Sequence, residues 1–191
     1  GHAKKSALKP LPQYQASIHK SGSEKSRDLD QTNFVEGVLK SIPAKCKKKM
    51  SLPPLAPTAQ QTLENFFLSF DMNQVNRVAA NQLMGGFALF CGGSKTNKLS
   101  FMFCLFDSRA DDLKKKKKKS DEIASLCGKD VFYFLRSILI VLFSCCKQSL
   151  DLTAGPVGAY IADAANMVTN DIMKYQWKTR KVERVNFDEF G

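Results

Sequence analysis

The chain is poor in histidine. Of its 191 residues two are His, and both, His2 and His19, stand in the first twenty positions. A Cys–His or Ser–His catalytic pair inside a folded core cannot be assembled from that supply. A phosphate-cradling glycine loop is missing as well. Met84-Gly85-Gly86 and Cys91-Gly92-Gly93 lack both the following Lys-Ser/Thr and the preceding strand. They are expected to serve close helix packing and a helix stop instead. The six cysteines, at positions 46, 91, 104, 127, 145 and 146, contain no C-x₂-C pair of a zinc site. Nor do they show the short spacings of a secreted disulfide framework, so a reducing, cytoplasmic compartment is expected. Cys91, Cys104 and Cys145, among apolar neighbours, read as small core residues. Neither enzyme chemistry nor a small-molecule substrate is expected.

Long apolar runs are absent too. The richest stretch, Val131–Cys146, is interrupted by Arg136 and falls short of the ~20 residues of a bilayer span. It reads as a buried core helix. The first thirty residues are polar and basic, without the apolar centre of a signal peptide. The last six, Asn186 to Gly191, read as the start of a helix, which suggests a piece of a longer protein.

What is present suffices for one core: 43% hydrophobic residues, fourteen of them Phe. Twenty-nine Lys+Arg against eighteen Asp+Glu leave a formal net charge of +11. Residues 1–57 read as a basic, largely disordered arm. The arm carries one short amphipathic helix near Asp30 to Ile42, capped by Asp30 or Thr32. A basic cluster, Lys45 to Lys49, and a Pro53, Pro54, Pro57 linker complete it. The folded body is expected over 58–191, opening on the capping box Thr58-Ala59-Gln60-Gln61. Helices are expected at about 59–70, 79–91, 95–106, 129–147 and 158–176. A long Lys-rich insertion falls at about 108–125, and a candidate strand at Val185-Asn186-Phe187.

Three segments share one pattern: an aromatic-rich helix, a polar loop, one small apolar residue, another helix. In the first, Phe66-Phe67-Leu68-Ser69-Phe70 leads to Asp71, with Asn73, Asn76, Val78 and Gln82 at loop positions 3, 6, 8 and 12. In the second, Phe101-Met102-Phe103-Cys104-Leu105-Phe106 leads to Asp107, with Leu126 at position 8 and Asp130 at position 12. In the third, Val185-Asn186-Phe187-Asp188-Glu189-Phe190 supplies positions 8 and 12, and the entry helix ends at Tyr175-Gln176-Trp177. Over roughly residues 59–191 this resembles the EF-hand superfamily. There, oxygens at positions 1, 3, 5 and 12 bind calcium and position 8 makes a small strand. The resemblance implies an all-α fold of paired helix–loop–helix units with very short strands between loops. It also implies calcium sensing, and a hydrophobic groove that takes a partner's amphipathic helix.

The ligand positions argue against a closed ion cage. Asp71, Asn73 and Gln82 are the ligand types of the first loop; Val75 has no side-chain oxygen, and Arg77 offsets the charge of Asp71. The second loop holds Asp107, Asp111 and Asp130, but Arg109 takes position 3 and Lys114 to Lys119 bring six positive charges beside them. In the third, counting back from Val185 puts Lys178 and Arg180 at positions 1 and 3, leaving Glu189. Either no cofactor or weak Ca²⁺ is expected. The reading is a degenerate EF-hand regulatory or protein-interaction module. One alternative is a genuine calcium sensor through the first or second loop. The other is a tether through Lys114–Lys119 to anionic lipid or another polyanion such as nucleic acid. Phe87, Phe90, Met102, Phe103, Phe132, Phe134, Leu139 and Phe143 are candidates for core or groove.

Overall fold

The computed structural model describes residues 28–42, 55–109, 124–150 and 154–190. Asp111, Lys114–Lys119, Cys46 and most of the basic arm lie outside these residues. In chain order the elements are β1 (Asp28–Leu29), α1 (Gln31–Ser41), α2 (Leu55–Phe70), β2 (Val78–Ala79), α3 (Ala80–Ala88) and α4 (Lys95–Phe106). β3 (Ser125–Cys127), α5 (Gly128–Leu150), α6 (Ala154–Arg180), β4 (Arg184–Asn186) and α7 (Phe187–Phe190) follow. The architecture is all-α with very short strands.

Local chemistry explains most of the boundaries. Asp30 caps α1, its carboxylate accepting from Asn33 N at 2.8 Å, and Ser94 caps α4 by accepting from Asn97 N at 3.2 Å. α2 starts at Leu55, so Thr58 lies inside the helix rather than capping it, and Pro57 sits in the first turn, where its missing N–H costs nothing. α3 ends at Ala88, four residues before the Gly92-Gly93 pair expected to stop it. α6 runs on to Arg180, past the expected end at Trp177. Lys178 and Arg180 therefore occupy its last turn, where cations meet the negative end of the helix dipole. They are not loop residues, and counting back from Val185 misplaced them. Phe187 opens α7 rather than extending β4.

The strands form two antiparallel pairs. Leu29 faces Val78 across β1 and β2, and Leu126 faces Val185 across β3 and β4. β2, β3 and β4 lead directly into a helix, and β1 does so after the capping residue Asp30. The pairing of β1 with β2 brings Asp28–Leu29, inside the 1–57 stretch, into the fold. Phe34 and Val35 of α1 are buried, so the short helix near Asp30 is part of the core.

Two apolar clusters fill the interior. The first joins Phe34, Val35, Leu63, Phe67, Phe70, Leu83, Ile140, Val141 and Ile161. The second joins Met102, Phe103, Phe106, Leu126, Val131, Phe134 and Val185. Both contain residues of α5: Val131 and Phe134 near its start, Ile140 and Val141 near its middle. Gly85 and Gly86 of α3 permit this packing. A Cβ on Gly85 would stand 2.7 Å from Phe106 Cε2, and one on Gly86 would overlap Phe70 Cζ and stand 3.0 Å from Val141 Cγ2. Among the described residues no helix is long and apolar enough to cross a membrane.

Candidate loop sites and their internal cations

Asp71 and Asp107 occupy equivalent places. Each follows the last residue of a helix, Phe70 or Phe106, each is buried, and each carboxylate gathers backbone N–H groups of the loop it opens. Asp71 Oδ1 accepts from Val75 N at 3.1 Å and Oδ2 from Asn76 N at 2.7 Å. Asn76, at the expected sharp turn, has φ of 53°, a left-handed value that Asn tolerates better than most residues. Its side-chain oxygen accepts from Gln31 N at 3.1 Å, tying the loop to the start of α1.

The second loop is held by arginines. Asp107 Oδ1 accepts from Arg109 N at 3.0 Å and Arg109 Nε at 3.1 Å. Its Oδ2 accepts from Arg109 Nη2 at 2.9 Å and Ser125 N at 3.0 Å. Arg184 then arrives from the opposite strand. Its Nη2 stands 3.0 Å from Asp107 Oδ1 and 3.5 Å from Asp130 Oδ2. The same guanidinium donates through Nε to Ser125 Oγ at 2.9 Å and through Nη2 to the Ser125 carbonyl. Asp130 Oδ2 also accepts from Ser108 Oγ at 3.1 Å and Cys127 N at 3.0 Å, the latter closing the first turn of α5 as a capping-box acid does. A carboxylate has about four lone-pair sites, and five N–H donors converge on Asp107. Burial pulls the Asp107 pKa upward, but the Arg109 hydrogen bond, the Ser125 and Arg109 N–H groups and the Arg109 charge outweigh it. They hold the carboxyl below its ordinary value. Burial beside Asp130 pushes the Cys127 thiol up.

Gln82 is turned elsewhere. Its Oε1 accepts from Arg136 Nη1 at 2.5 Å, while Arg136 Nη2 reaches Met72 Sδ at 3.9 Å. Burial lowers the Arg136 pKa from its ordinary value, though a guanidinium stays charged at neutral pH. The position-12 residue of the first loop thus serves α5.

The strand register supplies a second view of the ligand positions. Four residues after Leu29, Val78, Leu126 and Val185 stand Asn33, Gln82, Asp130 and Glu189, so the loops of the first pair have amides where an ion-binding loop has a carboxylate. Asn33 spends its amide on Asp30, donating through Nδ2 to Oδ2 at 2.6 Å. Asn73 is exposed. Asp111 lies outside the described residues, as does the side chain of Glu189. Of the expected ligand residues, the structure brings Asp107 and Asp130 together, around Arg184, and leaves Asp71 and Gln82 in the other strand pair. Among the described residues no group of three or more His, Cys, Asp or Glu is placed to hold a metal ion.

Arg184, Arg136 and Asn33 were not among the expected site residues. Arg184 stands immediately before the position-8 valine, and its charge was the available signal. The candidate groove also divides. Met102, Phe103, Phe132 and Phe134 are buried; Phe87, Leu139 and Phe143 are half-buried against the first cluster; Phe90 is 58% exposed. Cys91, Cys104 and Cys145, expected in the core, are exposed, because the outward positions of their helices and turns carry them. No family model, no curated protein and no solved structure matches the chain.

Proposed function

We propose that this chain is an EF-hand-family regulatory or protein-interaction module that works without calcium, Arg184 taking the role of the ion in the second loop. The observation that carries this reading is the position of Arg184 Nη2 between Asp107 and Asp130. These acids begin and end the second loop, the two places from which such a loop grips its cation. A guanidinium supplies the positive charge permanently, does not exchange with solvent, and cannot be deprotonated near neutral pH. The paired strands and the matched settings of Asp71 and Asp107 support the family assignment.

The same groups fit calcium poorly. The ion needs six to eight oxygens, whereas the Asp107 oxygens are taken up by N–H donors and Gln82 is taken up by Arg136. A partner helix would bind this module independently of metal. Ile140 and Val141 of α5 are packed into the first cluster, so they are not available to a partner. The apolar surface this reading offers a partner is that of exposed Phe90, whose ring centroid lies 6.0 Å from that of Phe66, itself 5.9 Å from that of Phe87.

Calorimetric titration with calcium tests the reading. No binding heat and no chelator-reversible change in melting temperature are expected. Saturable micromolar binding accompanied by a chelator-reversible rise in melting temperature would replace this reading with that of a calcium sensor.

A further inference from the structure

The last two turns of α6 gather positive charge and aromatic rings. Lys174, Tyr175, Trp177, Lys178, Arg180 and Lys181 are all exposed, and no acid stands between Asp171 and Glu183. Tyr175 is 65% and Trp177 43% exposed. At about 100° per residue, Lys174 and Lys178 point about 40° apart, with Trp177 about 60° to one side and Tyr175 about 60° to the other. Gln176, on the opposite side, is buried, which turns the four outward. The chain then folds back. Lys181 has a φ of 58°, its N–H donates to the Trp177 carbonyl at 3.3 Å, and its ammonium stands 5.8 Å from the centre of the Trp177 ring.

The helix dipole accounts for cations in a last turn. It accounts neither for Lys174, one turn earlier, nor for two exposed rings set among the lysines. The run Lys114–Lys119 has no aromatic residue in it, whereas here rings and cations are interleaved. We propose that the end of α6 is a binding site for single-stranded nucleic acid, without sequence preference. Such a strand presents phosphates to lysine and arginine and unpaired bases to exposed rings, and every base has a face that can stack. Trp177, with the Lys181 ammonium held against it, matches the two parts of one nucleotide, a flat base and an anionic phosphate.

A strand suits this surface better than an anionic bilayer does. Trp177 and Tyr175 point about 160° apart, so a flat surface facing the lysines reaches neither ring squarely, whereas a flexible strand bends around the helix. Asp163 and Asp171 are exposed on the same outward side. A bilayer lying along the helix would meet them, and a strand crossing its end does not. The net charge of +11 favours the approach of a polyanion. This surface is separate from the loops, so the proposal stands whether or not the loops bind calcium.

Trp177 is the one tryptophan of the chain and so serves as its own reporter. Titrating the full chain with an oligothymidylate about 12 nucleotides long should quench its fluorescence, as a stacked base does; entry into lipid headgroups would instead shift the emission to the blue. Tyr175→Ala should weaken binding about fivefold or more. Lys174→Gln with Lys178→Gln should flatten the slope of log affinity against log salt by about 1.4, two charges at about 0.7 each. Both variants change exposed side chains, so their melting temperatures should stay near that of the parent. A duplex of the same length, its bases already stacked on one another, should bind more weakly. Absence of quenching overturns the proposal, as does equal affinity for the duplex. Quenching that neither variant weakens also overturns it, by placing the strand elsewhere, on Lys114–Lys119 for example. A blue shift with phosphatidylserine vesicles and no response to the oligonucleotide would assign the surface to lipid instead.

Discussion

Val141 of α5 leans into the space that Gly86 leaves vacant on α3: a Cβ at position 86 would come within 3.0 Å of Val141 Cγ2. Gly86→Ala gains about 1 kcal/mol of helix propensity, but overpacking a closed site costs about 1–3 kcal/mol. A net loss of stability in urea unfolding is expected, and Gly86→Ala with Val141→Ala should lose less than the two singles together. Gly37 is the control. Nothing lies within 4 Å of a Cβ there, so Gly37→Ala should stabilise α1 by up to about 1 kcal/mol.

Removing Arg184 should leave two buried acids without their shared cation. Hydrogen bonds to charged groups are worth about 1.5–3 kcal/mol each, and the partial exposure of Arg184 reduces that. Arg184→Ala should cost about 2 kcal/mol in urea unfolding. In an Asp107→Asn background the same change should cost clearly less, the double-mutant cycle reporting the coupling. Equal costs in both backgrounds would show that Arg184 contributes by packing alone.

Acid should unmake this cluster. The Asp107 carboxyl is held below its ordinary value, with burial outweighed by Arg109 and by the N–H groups of Ser125 and Arg109. A group with a depressed folded pKa contributes stability above its unfolded pKa of about 3.9 and loses it as pH falls through the folded value. The melting-temperature gap between parent and Asp107→Asn should therefore be widest near neutral pH and narrow below about pH 4. A gap that stays constant into acid would contradict it.

Gln82 and Arg136 should behave unequally. Gln82→Ala removes the oxygen on which the Arg136 guanidinium depends, and leaving a buried donor unmade costs about 1–3 kcal/mol. Arg136→Met removes the charge along with its need and fills a similar volume, so it should be near neutral or mildly stabilising. Urea midpoints of the two single variants decide the order.

The parts of this fold that were readable from sequence are those built on local pattern. Phe70-Asp71 and Phe106-Asp107 mark helix ends because an aromatic face stops where a carboxylate can turn back onto the loop amides. Leu126 and Val185 occupy the strand positions assigned to them, each four residues before the acid, Asp130 or Glu189, assigned to the end of its loop. What escaped depends on distance. Arg184 and Asp107 are 77 positions apart, and no local periodicity marks a charge whose partner lies on another loop. Asp28-Leu29 is too short a strand to show an alternation, and its membership of the core follows only from its register against Val78. The continuation of α6 through Lys178 and Arg180 was obscured for a different reason. Those residues suit a helix C-terminus, but counting a loop of fixed length backward from Val185 treated them as its ligands.

The two apolar clusters share a wall. α5 lends Val131 and Phe134 to one and Ile140 and Val141 to the other, so unravelling either half strips the other of a side. The two clusters are therefore expected to melt together, as one cooperative unit joined through that helix.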